Sequence, residues 1–146
     1  MVGDIAKDFT LNDQNGVAFN LYSNLNRKIL LVFYPGDNTP VCTKQLTDYQ
    51  IHKELFEKLD IIVIGVSTDS EKSHFDFVKK CSLGFPLLAD VDKDATKKYN
   101  AFNLFGGVKR KVVLISEDRK ILYEKEVMPF RYQTSKQLVR LFENIE

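Results

Sequence analysis

Three short runs of consecutive apolar residues, at 29–33, 61–66 and 112–115, constrain the fold of this chain more than any other feature. Runs rich in Val, Ile and Leu without polar alternation predict strands buried on both faces, and such a sheet needs helices on either side. Helical periodicity lies between the runs. Within 42–59, Cys42, Leu46, Tyr49, His52, Phe56 and Leu59 share one side of a 3.6-residue repeat. Residues 70–80 predict a second helix with Phe75 and Val78 inward, and 94–99 a short third. The last helix is the clearest: Thr134 and Gln137 make a capping-box pattern, and Leu138, Leu141, Phe142 and Ile145 the apolar stripe.

Two hairpins complete the pattern. Phe9-Thr10-Leu11 and Val17-Ala18-Phe19 flank Asn15-Gly16, a hairpin signal, and 120–127 is placed to pair with 112–115 across Glu117-Asp118-Arg119. Crossover helices require parallel strands early in the chain, and the hairpins require antiparallel ones. The expected fold is therefore α/β and thioredoxin-like: a central mixed β-sheet flanked by helices, with an N-terminal β-hairpin. With no repeat, low-complexity tract or linker, residues 1–146 are expected to form one domain.

A net charge of +1 gives no general attraction for nucleic acid, an acidic substrate or a membrane surface. No basic leader opens the chain, and no apolar stretch approaches the roughly 20 residues of a membrane span. The expected location is cytoplasmic, where two cysteines point to catalysis or redox chemistry rather than to a disulfide framework.

Of the two, Cys42 is the more informative. Tyr34-Pro35-Gly36-Asp37-Asn38-Thr39-Pro40-Val41-Cys42 runs from the end of the first apolar strand, through a turn-prone loop, into a helix. A thiol at a helix N-terminus meets unpaired backbone N–H groups and the positive end of the macrodipole, which favour the thiolate. His52 and His74 lack a partner at metal-ligand or triad spacing and read as structural. No metal site or cofactor motif is recognised, and Gly106-Gly107 is too short for a phosphate loop.

Pro35-x-x-x-Thr39-x-x-Cys42, with Tyr34 before it and Gln45 after it, resembles the active-site signature of the peroxiredoxins. The wider pattern is similar to the bacterioferritin comigratory protein subgroup: Gly3-Asp4-Ile5-Ala6, Phe9-Thr10-Leu11, Ile64-Gly65-Val66-Ser67-Thr68-Asp69, Phe85-Pro86-Leu87-Leu88-Ala89-Asp90, and Arg110 before a buried strand. The resemblance implies that Cys42 attacks hydrogen peroxide or an alkyl hydroperoxide and becomes a sulfenic acid, with thioredoxin or a similar dithiol as reductant. An unperturbed thiol, pKa about 8.5, is about 3% ionised at pH 7, so ionisation alone yields roughly 30-fold at most. The rest must come from positioning the peroxide and stabilising charge as the O–O bond breaks. The resemblance assigns that work to Thr39, Arg110 and the N–H groups of Val41 and Cys42, with Pro35 as a shield and Gln45 where many relatives carry an acid. Without it, Lys109-Arg110-Lys111 reads as a solvated basic patch and Thr39-Pro40 as a turn initiator.

The subgroup often carries a resolving cysteine five residues after the first; here that position is Thr47. Cys81, at the end of the second helix, is the remaining candidate, either resolving, passive or pairing between subunits, and a disulfide needs Cα atoms within about 7 Å. Phe102, Phe105 and Phe130 are candidates for the pocket mouth. Two other functions remain open: a redox-sensing thioredoxin-fold binding module, and a thiol–disulfide oxidoreductase, although the latter's Cys-x-x-Cys is missing. The subgroup's habit implies a monomer or homodimer.

Overall fold

The structure is a computed structural model and describes residues 1–145. Glu146, which closes the expected 1–146 domain, lies outside the described residues. The chain order is β1 (Thr10–Asn12), β2 (Ala18–Asn20), β3 (Lys28–Phe33), α1 (Pro40–Ile51), α2 (Lys53–Glu57), β4 (Ile61–Ser67), α3 (Glu71–Cys81), β5 (Leu87–Ala89), α4 (Asp94–Lys98), β6 (Arg110–Ile115), β7 (Ile121–Val127) and α5 (Ser135–Phe142). The seven strands form one sheet in the order β2-β1-β5-β4-β3-β6-β7. Strands β3, β4 and β5 run parallel; β6, β7 and the N-terminal hairpin join antiparallel. This is the mixed, helix-flanked sheet with an N-terminal hairpin that the sequence predicts.

The alternation of side chains divides the interior into two layers. From β3 and β6, Leu30, Val32, Val112 and Leu114 face a core shared with Leu46 and Tyr49 of α1, Phe56 of α2, Phe77 of α3 and Leu138 of α5. Ile29, Leu31, Phe33, Val113 and Ile115 face the opposite core, with Leu21, Ala95 and Tyr99. Burial on both faces is why these strands are written as unbroken apolar runs. Among the described residues, no helix is long and apolar enough to cross a membrane.

Three local expectations are corrected. The helix of 42–59 begins at Pro40 and divides at His52, whose ring turns back onto the Asp48 carbonyl and carboxylate (3.3 and 3.0 Å); such side-chain bonding to the backbone competes with the helix. In α3 the buried residues are His74 and Phe77; Val78 packs against the core as expected, while Phe75 is exposed beneath the Lys79 ammonium. In α5 the buried face is Leu138, Val139 and Phe142; Leu141 is exposed. The first hairpin turns over 13–17, with Asp13 Oδ1 accepting the N–H groups of Asn15 and Val17, and only Gly16 takes a positive φ. Strand β5 is too short to show periodicity in the sequence, three residues directly after Pro86.

Gly65 on central strand β4 shows how tightly the layers pack. A Cβ there would lie 2.6 Å from Leu87 Cδ2 and 3.3 Å from Tyr34 Cε1, and both neighbours are fully buried. Gly65→Ala is expected to cost about 1–3 kcal/mol through overpacking, read as a lower midpoint in urea at unchanged m-value.

Topology sets up the site. Strand β3 delivers the chain at Phe33 to the loop preceding α1, and β6 runs antiparallel beside it with Phe33 opposite Lys111. Arg110, the first residue of β6, therefore stands beside the start of that loop.

Candidate active site

Cys42 occupies the first turn of α1 and is fully buried. Pro40 begins the helix, where its missing N–H costs nothing. Thr39 is the N-cap, yet its side chain does not cap: its hydroxyl donates to the Gly36 carbonyl at 3.1 Å. The N–H groups of Val41 and Cys42, which lie too early in α1 for helical partners, meet no acceptor among the described residues.

Arg110 closes the other side. Its Nη2 donates to Cys42 Sγ at 3.2 Å and to the Pro129 carbonyl at 3.0 Å; Nε also donates to Pro129 O, at 3.2 Å. Nη1 donates to Gln45 Oε1 at 2.7 Å. Gln45 Nε2 donates to Tyr49 Oη (3.2 Å), which donates to the Gln133 carbonyl (2.6 Å), so the amide is fixed with its oxygen toward the arginine. Burial pushes the Tyr49 phenol well above its ordinary pKa. Arg110 is only 3% exposed, and no carboxylate forms an ion pair with it among the described residues. A buried cation is costly without a counter-charge, and the groups that Arg110 meets are the Cys42 sulfur, the Gln45 amide oxygen and the Pro129 carbonyl.

The solvated-patch alternative for Lys109-Arg110-Lys111 is excluded by strand alternation. Arg110 and Lys111 are both buried and leave β6 on opposite faces, Lys111 donating to the Tyr99 carbonyl (2.7 Å) and pairing with Glu124 (3.0 Å). Pro35 and Thr39 are exposed on the loop that precedes α1. A groove of about 460 Å³ lined by Val41, Lys44, Val127, Phe130 and Tyr132 adjoins the site. Phe102 and Phe105 lie outside its walls, on a turn closed by the Phe102–Val108 bridge.

Both histidines have hydrogen-bond partners. His52 pairs with Asp48 on its own helix. His74 is fully buried, with Nδ1 2.7 Å from Asp37 Oδ2 and Nε2 3.1 Å from the Leu88 carbonyl oxygen. Burial alone would raise the Asp37 carboxyl, but the hydrogen bond and charge of His74, with the hydroxyls of Tyr34 and Ser73, outweigh it and hold it below its ordinary range. Asp37, Asp69 and His74 offer ligand atoms within 4.8 Å of one another, but those atoms already serve this network. A spacing search misses the pair because one partner comes from a loop. The available signal was a polar residue three before Phe77 on the apolar face of a helix, which requires a buried partner.

Both thiols are free, Cys42 buried and Cys81 part-exposed. The turn after Cys81 is anchored far along α1: Gly84 N–H donates to Gln50 Oε1 (2.6 Å) and Lys53 Nζ to the Gly84 carbonyl (3.1 Å). Gln50 lies about 12 Å along the axis from Cys42, at 1.5 Å per residue.

The sequence pattern of the AhpC/TSA family matches residues 2–124. The chain is 43% identical over 101 residues to a protein of Helicobacter pylori that bears the name peroxiredoxin bcp, across 69% of this chain and 66% of that one; it thus spans just under two thirds of that relative. It is 33% identical to peroxiredoxin Bcp of Bacillus subtilis over 130 residues, 84% and 83% of the two chains. The crystal structure of peroxidoxin BcpB from Mycobacterium tuberculosis superposes with a TM-score of 0.90 at 26% identity, covering 99% of this chain and 97% of that one.

Proposed function

The chain belongs to the AhpC/TSA family, and from that premise we propose that it is a thiol-dependent peroxidase reducing hydrogen peroxide and organic hydroperoxides. The observation that carries this reading is the buried Arg110 guanidinium, without a carboxylate partner, donating to the Cys42 sulfur at 3.2 Å.

The Cys42 thiolate attacks one peroxide oxygen. An S–O bond forms as the O–O bond breaks, the departing oxide takes a proton to leave as water or alcohol, and the sulfur is oxidised to sulfenic acid. Arg110 stabilises charge on the sulfur and then on the departing oxygen; the N–H groups of Val41 and Cys42 complete the anion-stabilising set. The Thr39 hydroxyl, released from Gly36 O, grips the peroxide, and Pro35 limits access from above. Gln45, in place of an acid, orients the arginine through its carbonyl oxygen without neutralising its charge.

A thiol then attacks the sulfenic sulfur, releasing water and forming a disulfide. In our reading that thiol is Cys81, and thioredoxin or a similar dithiol reduces the product. In this reading the first turn of α1 unwinds to bring the two sulfurs together, a low-cost motion at a helix end. One domain in the cytoplasm, as monomer or homodimer, completes the reading.

The test is turnover. With a thioredoxin-type reductant, peroxide loss should exceed protein many-fold; oxidation that stops at one equivalent would favour a redox sensor. Non-reducing mass spectrometry after one equivalent of peroxide should find a monomer without free thiols, and Cys81→Ser should accumulate sulfenic or sulfinic Cys42. Normal cycling of Cys81→Ser with the same reductant would remove Cys81 from the mechanism.

A further inference from the structure

We propose that His74 is a positioning residue, acting through Asp37 to hold the loop that leads through Thr39 to Cys42. The inference rests on the peroxidase reading. The Asp37 side chain is 1% exposed. Its Oδ2 accepts from Ser73 Oγ (2.8 Å) and His74 Nδ1 (2.7 Å), and its Oδ1 from Tyr34 Oη (2.7 Å). Its own N–H donates to Asp69 Oδ2 (2.7 Å), which also accepts from Ser67 Oγ (2.8 Å). The two ring nitrogens of His74 each face an oxygen: Nδ1 the Asp37 carboxylate in the loop, and Nε2 the Leu88 carbonyl on β5.

Such anchoring has a reason. Between Asp37 and Thr39 the chain passes Asn38 at φ 64°, a left-handed conformation that persists in a non-glycine residue where its surroundings over-determine it. The Thr39 carbonyl accepts the first α1 bond, from Thr43 N–H, while its hydroxyl is tied to Gly36 O, within the same loop. The loop takes its position from β4, α3 and β5 by way of Asp37. No hydrogen bond links Asp37 or His74 to Cys42, Arg110 or Gln45, so the network reaches the reacting atoms through the loop.

The experiment uses the full chain in a Cys81→Ser background and compares two reactions of Cys42. Sulfenic acid formation with hydrogen peroxide, trapped by dimedone, needs the Thr39 grip; alkylation by iodoacetamide needs the sulfur nucleophile alone. His74→Gln retains an amide toward Leu88 O but removes the ring nitrogen beside Asp37 Oδ2, leaving the carboxylate the Ser73 and Tyr34 hydroxyls. It should slow peroxide oxidation roughly tenfold or more and alkylation by less than about threefold. His74→Asn, whose amide sits where Nδ1 donates, should restore most of the peroxide rate. In a Thr39→Val background His74→Gln should add nothing further, since both changes remove one function.

The proposal is overturned if His74→Gln oxidises at the parent rate, if both reactions fall together, if His74→Asn is no better, or if the Thr39 and His74 effects multiply. Should His74→Gln not fold, Asp37→Asn carries the same expectations. A parent protein whose Cys42 meets peroxide no faster than a free thiol would end the peroxidase reading itself; parent reactivity with any of the other adverse results ends the positioning role alone.

Discussion

Cys42→Ser is expected to bring peroxide consumption down to the rate of the reductant alone, a loss of at least about 10⁴-fold. A serine oxygen has no reducing electrons to offer the O–O bond, so no covalent intermediate forms and no partial route remains. The substitution is nearly isosteric at a fully buried position, and the hydroxyl oxygen can still accept from Arg110 Nη2. Stability should change by only about 1 kcal/mol, leaving circular dichroism and the unfolding midpoint close to the parent's. Folded protein without turnover is therefore the expected pairing, read from peroxide remaining in a reductant-coupled assay. Catalysis retained by this variant would move the chemistry to another group.

The fold was legible where burial is two-sided. Strands β3, β4 and β6 are apolar throughout because both faces meet a core, and the capping box marked the start of α5. What failed was the rotation of helices about their axes. Phe75 and Leu141 each sit one residue off the buried face, because His74 is satisfied inside by Asp37 and Leu88, and Val139 fills the place given to Leu141. A hydrophobic wheel cannot see a buried polar partner. The loop sequence before Cys42 is local and could be read directly. The Cys42–Arg110 contact spans 68 residues and exists because β3 and β6 pair antiparallel; only a family resemblance suggested it. Asp37–His74 spans 37 residues and had no such aid.

Arg110→Ala should lower the rate constant for Cys42 oxidation by roughly 10²–10³, the range for removing one pre-aimed donor at a site of developing charge. The loss has a structural component, because the side chain also satisfies Gln45 Oε1 and Pro129 O. Leaving such acceptors bare costs about 1–3 kcal/mol each where water cannot reach them. Arg110→Lys separates the two components. It keeps the charge near the sulfur, but one ammonium cannot serve a thiolate, an amide and a carbonyl in the geometry of a planar fork. If charge alone drives the reaction, the lysine variant stays near the parent. If the fork must hold the sulfur and then the departing oxygen in one orientation, lysine falls most of the way to alanine, and that is the expected result. Rates measured on the folded fraction, fixed by parallel urea titrations, keep stability out of the comparison. An alanine variant that oxidises within about threefold of the parent would remove Arg110 from the mechanism and leave its burial without a purpose.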